Sequence, residues 1–291
     1  MTAGMITKQI GTFLTGNITV ETDQHSKIII HEPPEGLVHA TENDVIRHQI
    51  TSMMAFQEKL SMLFRARFKS AGIKFPLPVG KYRVEVNLKS ARKIKELPAP
   101  TIKNTISSSP LIGVLKSIID ALNGQIISND SQIYNAEILY EQLPKGGRSK
   151  LDHLEVWLFD LSQKNAAPIA QIATDVYVIP KEPPMIYDAD NKPVVLQEMH
   201  FKDIADQIRP IMSVPQYSKY HIDIQFSGKV RRLDIDNMAK IYLPVLNELG
   251  IDDNLIHRIT MKKRSGKNLK DAISLQIHPH ALQHTIHSTT P

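Results

Sequence analysis

The sequence predicts an α+β fold made of two tandem units, each a small mixed β-sheet packed with α-helices. Three observations carry this. Strand-period and helix-period hydrophobic runs follow one another along the chain. Four separate segments recur, in order, in the two halves. The balance of apolar, charged, Gly and Pro residues is that of an ordinary globular protein, which excludes wholesale disorder and collagen-like repeats.

The repeat is clearest at Lys81-Tyr82-Arg83-Val84-Glu85-Val86-Asn87-Leu88 and Lys219-Tyr220-His221-Ile222-Asp223-Ile224-Gln225-Phe226, where every position is matched or conservative. Both segments alternate apolar and polar residues, as half-buried strands do. Ile28–Ile30 runs into Glu32-Pro33-Pro34, and Val176–Ile179 runs into Glu182-Pro183-Pro184. Lys116–Asn123 matches Lys240–Asn247, and Asn129-Asp130 matches Asp252-Asp253. The offsets fall in order, 150, 138, 124 and 123, so the first copy carries insertions. The copies span about 26–162 and 172–278, which divides the chain into domains at 1–165 and 172–291 with a linker near Ser162–Ala173. Residues 1–25 have no counterpart.

Helices are expected over Glu42–Ala71 (Thr41 as N-cap), Pro110–Leu122, Met199–Met212 and Asp236–Leu249, with a break near Pro244. Closing strands are expected at Leu154–Phe159 and Ala272–Ile277. Trp157 and the Met53, Met54 and Met62 side chains read as packing residues. His278, His280, His284 and His287 read as a solvated tail.

The chain has no cysteine, which removes disulfides, thiolate metal sites and thiol catalysis. It has no apolar run long enough to cross a membrane and no apolar leader, so a cytoplasmic protein without a membrane partner is expected. No G-x-x-x-x-G-K-[ST] occurs, so no ATP use is expected. The net charge is +5. It is concentrated: Lys59–Lys103 holds twelve Lys or Arg against two Glu, and a second basic stretch runs from Lys229 to Lys270. Two such runs favour a phosphate-bearing partner.

The densest polar constellation is Arg231-Arg232-Leu233-Asp234-Ile235-Asp236-Asn237-Met238-Ala239-Lys240, followed by Asp252-Asp253. Asp234 and Asp236 share a face if extended, and Lys240 lies four residues past Asp236. Converging carboxylates repel one another without a cation, and hard oxygen ligands suit Mg²⁺, with Mn²⁺ as a substitute. The plainer reading of an isolated D-x-D-N is a turn and a helix cap.

This order of features resembles the RusA family of Holliday-junction resolvases, in which an Arg-rich strand leads into D-x-D-N-x-x-K, a helix and an acidic turn. The resemblance implies a Mg²⁺-dependent endonuclease acting on branched DNA such as four-way junctions. It assigns metal binding to Asp234, Asp236 and Asp253, and phosphate contact to Lys240. The basic residues Arg231, Arg232, Lys262, Lys263, Arg264, Lys89, Arg92, Lys93 and Lys95 are candidate DNA contacts. A non-catalytic branched-DNA-binding or assembly protein of the same fold is the alternative.

The first copy departs from the motif. Pro110 and Ile112 stand at the two aspartate positions, while Lys116 and Asp130 are kept. It is expected to be catalytically dead, with Asp130 idle unless it reaches across to the second copy's site. The resemblance implies a homodimer; an intrachain pseudo-dimer is the other possibility.

Overall fold

The computed structural model describes residues 6–13, 16–22, 26–31, 51–96, 109–144, 152–163, 167–176 and 196–280. It is α+β. Instead of two separate small sheets there is one ten-stranded mixed sheet. The strands are β1 (Ile6–Phe13), β2 (Gly16–Thr22), β3 (Lys27–His31), β4 (Tyr82–Ser90), β5 (Ile133–Gln142), β6 (Asp152–Asp160), β7 (Ala170–Val176), β8 (Tyr220–Gly228), β9 (Ile256–Ser265) and β10 (Ala272–Pro279). Their order across the sheet is β1-β2-β3-β10-β8-β9-β5-β4-β6-β7.

Five helices complete the described chain: α1 (Thr51–Ser70), α2 (Pro110–Leu122), α3 (Leu196–Ile208), α4 (Ile235–Tyr242) and α5 (Pro244–Glu248). Strict alternation in β4 and β8 buries Val84, Val86, Leu88 and Ile222, Ile224, Phe226 on one face. Leu111, Leu115, Ile118 and Leu122 of α2, and Met238, Tyr242 and Leu246 of α4 and α5, belong to the same core. Pro244 ends α4 and starts α5, because a proline ring removes a helical donor and fits the first turn of a new helix.

The two halves show the same succession, strand–helix–strand–helix–strand–strand, and they interlock. β5 and β9 pair antiparallel at the sheet centre, with Ala136 opposite Met261, Glu137 opposite Thr260 and Ile138 opposite Ile259. A shift of 123 positions exchanges the two strands and returns the same pairs, so a local two-fold axis passes beside Glu137 and Thr260. β3 of the first half pairs with β10 of the second, and β7, at the start of the second half, pairs with β6 of the first. Each half thus lends its opening strand to the other.

Several expectations change. Gln171, Ile172 and Ala173 lie in β7 and not in a linker. Part of the N-terminal extension forms β1 and β2, which widen the sheet beside β3. Trp157 stands on the sheet face opposite the helices, because its neighbours Val156 and Leu158 take the inward positions. Met62 is 61% exposed on the outer side of α1. His278 lies in β10 and bonds Asp223 at 3.2 Å, and His280 stacks on His257, so neither belongs to a solvated tail. Residues 42–50, 177–179 and 281–291, and with them Thr41, His284 and His287, fall outside the described residues. Among the described residues no helix is long and apolar enough to cross a membrane.

Because the halves share strands, heat or denaturant should unfold the ten-stranded sheet in one cooperative transition monitored by circular dichroism and by Trp157 fluorescence. Ile138→Ala at the central seam should lower stability by about 2–5 kcal/mol and shift both signals together. Two resolved transitions would mean two independent domains.

Candidate functional site

Strand direction decides which acids can meet. β8 runs parallel to β9, so the Val230–Asp234 turn that follows β8 lies at the C-terminal end of β9. Gly228 makes this exit possible. Its φ is +106°, and a Cβ there would lie 1.9 Å from Asp271 Oδ1, which accepts the Lys229 amide at 3.1 Å. β5 runs antiparallel to β9, so the Asp130–Gln132 turn that opens β5 sits at that same end.

Lys263, near the end of β9, joins the two turns. Its Nζ donates to Ser131 O at 2.5 Å and to Leu233 O at 2.8 Å, and lies 4.7 Å from the Tyr134 ring centre. Asp253 opens β9 at the opposite end. Lys263 lies seven positions after Ile256, about 23 Å at about 3.3 Å per residue.

The acids that meet are therefore Asp234 and Asp236 from the second half and Asp130 from the first. Asp234 is the N-cap residue of α4, is 6% exposed and accepts Asn237 Nδ2 at 3.1 Å. Asp236, in the first turn of α4, is fully buried. Its Oδ2 lies 3.2 Å from Lys116 Nζ, which reaches across from α2, and its Oδ1 accepts no hydrogen bond among the described residues. Lys116 is held on its other side by Asp120, at 2.9 Å.

Burial, then the charge of Asp234, pushes Asp130 up to about 6; a hydrogen bond to Asp234 and the charge of Asp236 add to the rise. Burial raises Asp234 as well, against the hydrogen bond from Asp130. Burial lowers Lys263 to about 8, opposed by the charges of Asp234, Asp236 and Asp130. Three carboxyl groups thus crowd a poorly hydrated site faced by Lys116 and Lys263. Among the described residues no group of three or more Asp, Glu, His or Cys side chains is placed, as it stands, to hold a metal ion.

Asp253 therefore leaves the expected set and Asp130 enters it. Asp253 is buried, and its Oδ2 accepts Asn247 Nδ2 at 2.7 Å. Lys240 is buried on α4, and the lysine on Asp236 is Lys116. Of the three consecutive basic residues on β9, Lys262 and Arg264 point to the exposed face, whereas Lys263 is turned inward and braces the two turns; the strand period separates them.

Arg231 and Arg232 are exposed beside Asp234. Lys89, Arg92, Lys93 and Lys95 lie at the other end of the sheet, where the Ile94–Glu96 turn packs beside the Asp253 turn. Lys89 faces Glu155 at 3.9 Å and Arg92 pairs with Asp152 at 3.4 Å, while Lys93 and Lys95 are exposed.

No family model, curated protein or solved structure matches this chain.

A carboxyl group raised on folding contributes stability that is full below its unfolded value of 3.8 and is lost as the pH rises through the folded value near 6. Without divalent ions, Asp130→Asn should therefore be more stable than the wild type at pH 8, with a smaller advantage at pH 4. Urea midpoints at the two pH values measure this. An unchanged difference between them would place Asp130 outside the acidic cluster.

Proposed function

We propose that the chain is a Mg²⁺-dependent endodeoxyribonuclease that hydrolyses phosphodiester bonds in branched DNA, in the manner of the resolvases its sequence resembles. The observation that carries this reading is the convergence of Asp130, Asp234 and Asp236 across the central seam, beside two lysines. A buried cluster of anions is costly unless a cation joins it. Asp236 Oδ1, buried and without a donor among the described residues, and Asp130, raised by its neighbours, suit a hard dication with oxygen ligands.

Asp130, Asp234 and Asp236 would hold Mg²⁺, or Mn²⁺ in its place. When bound, the ion activates water and neutralises charge on the phosphorane-like transition state. Asp130 would hold the ion as its carboxylate, since only the deprotonated form is a good ligand. Lys116, which Asp120 and Asp236 share, would offer its charge to a phosphate oxygen. Arg231 and Arg232, exposed beside Asp234, hold the phosphate backbone without reading sequence. Lys263 keeps the two acid-bearing turns in register and makes no phosphate contact.

A second reading rests on the pairing of the buried Asp236 with Lys116, which also ties the two halves together: a branched-DNA-binding or assembly protein that keeps the fold without cutting. Incubation with labelled four-way junction and linear duplex, in Mg²⁺ or in EDTA, separates the two. The nuclease reading expects Mg²⁺-dependent cutting of the junction. Asp234→Asn, Asp236→Asn and Asp130→Asn should each slow it by about two orders of magnitude or more, with junction binding kept or tightened because a negative charge is removed. Asp253→Asn should cut at close to the wild-type rate. Tight junction binding with no cutting under any condition would favour the second reading.

A further inference from the structure

Resting on that reading, we propose that each chain holds one cutting centre and nicks a single strand of branched DNA, leaving the opposed strand intact in the same binding event. The local two-fold axis at Glu137 and Thr260 gives the acidic site a counterpart at the other end of the β5–β9 seam. The internal repeat maps Asp234 onto Pro110, Asp236 onto Ile112, Asp130 onto Asp253, Lys116 onto Lys240 and Lys263 onto Tyr140.

The counterpart has lost the chemistry and kept the frame. Pro110 and Ile112 are buried and apolar, so two of three acids are replaced by groups that cannot ligate a cation. The one remaining acid, Asp253, accepts a hydrogen bond from Asn247. Tyr140, in the place of the bracing lysine, donates its hydroxyl to Arg92 O and meets the His257 ring edge-on at 5.2 Å. One carboxylate cannot replace the several oxygen ligands a hard dication needs. Both positions lie within one chain, because its own halves already form the central seam. A second chain is not required to complete the cutting centre, and the counterpart position adds none.

The step is a hydrolysis and needs no co-reactant. A water oxygen forms a new bond to phosphorus, one P–O bond to the sugar breaks, and the proton lost by the water balances the one gained by the leaving sugar oxygen. It happens once per bound chain.

A supercoiled plasmid with an extruded inverted repeat, treated with the full chain and Mg²⁺, distinguishes the outcomes. The expected product is nicked circle, which accumulates because the first nick releases the supercoiling that holds the repeat extruded. Linear DNA formed without a nicked intermediate overturns the single-centre inference while leaving the nuclease reading standing. No cutting at all removes the nuclease reading and the inference with it. A readout independent of cutting is Mn²⁺ binding followed by electron paramagnetic resonance. The wild-type chain should bind one Mn²⁺, which Asp234→Asn should lose and Asp253→Asn should keep; two ions per chain, one of them lost in Asp253→Asn, would mean a second metal centre and overturn the proposal.

Discussion

The antiparallel pairing of β5 with β9 is the constraint on which the rest of the molecule depends. It fixes where every loop of one half lies relative to the other. Because β9 also runs parallel to β8, the turn after β8 and the turn before β5 are forced to the same end of the sheet. A site assembled from two halves follows from strand direction alone, before any side chain is considered. The exchange of opening strands, β3 onto β10 and β7 onto β6, makes that arrangement hard to undo without unfolding both halves.

Crowding three carboxyl groups at that junction works against stability. Each loses hydration on burial and each repels its neighbours, which is why Asp130 holds its proton far more tightly than an exposed aspartate does. Lys116, reaching across from α2, relieves part of this at Asp236. The bracing bonds of Lys263 keep the turns together against the repulsion. The divalent cation proposed above would remove that penalty on binding. The two-fold counterpart, with Pro110 and Ile112, carries no such penalty.

Much of this was legible in the sequence. Period-two alternation places β4 and β8, and the span of α2 follows from Pro110 and the apolar periodicity up to Leu122. Pro244 announces the break between α4 and α5. Asp234 and Asp236 stand out because two carboxylates, an arginine pair and a lysine crowd ten residues. Asp130 and Lys116 were visible only as conserved pieces of a degenerate copy. What the sequence lacked was the partner of β5. Proximity along the chain favours Asp253, eighteen residues after Ile235, whereas strand direction puts Asp253 at the far end of β9. The inward turn of Lys263 was similarly hidden within a run of three basic residues, since its direction depends on strand phase. The repeat was legible, but the exchanged strands that fuse two units into one sheet were not, because pairing between distant strands leaves little trace in local pattern.

The proposed cation site draws on both halves through Asp130 and excludes Asp253. It is tested most directly by following the side-chain carboxyl ¹³C resonances of the aspartates during a Mg²⁺ titration at pH 7. Asp130, Asp234 and Asp236 should shift together along one binding curve, with Asp253 unmoved. A joint shift of Asp253 with Asp234 and Asp236, leaving Asp130 unmoved, would contradict the account.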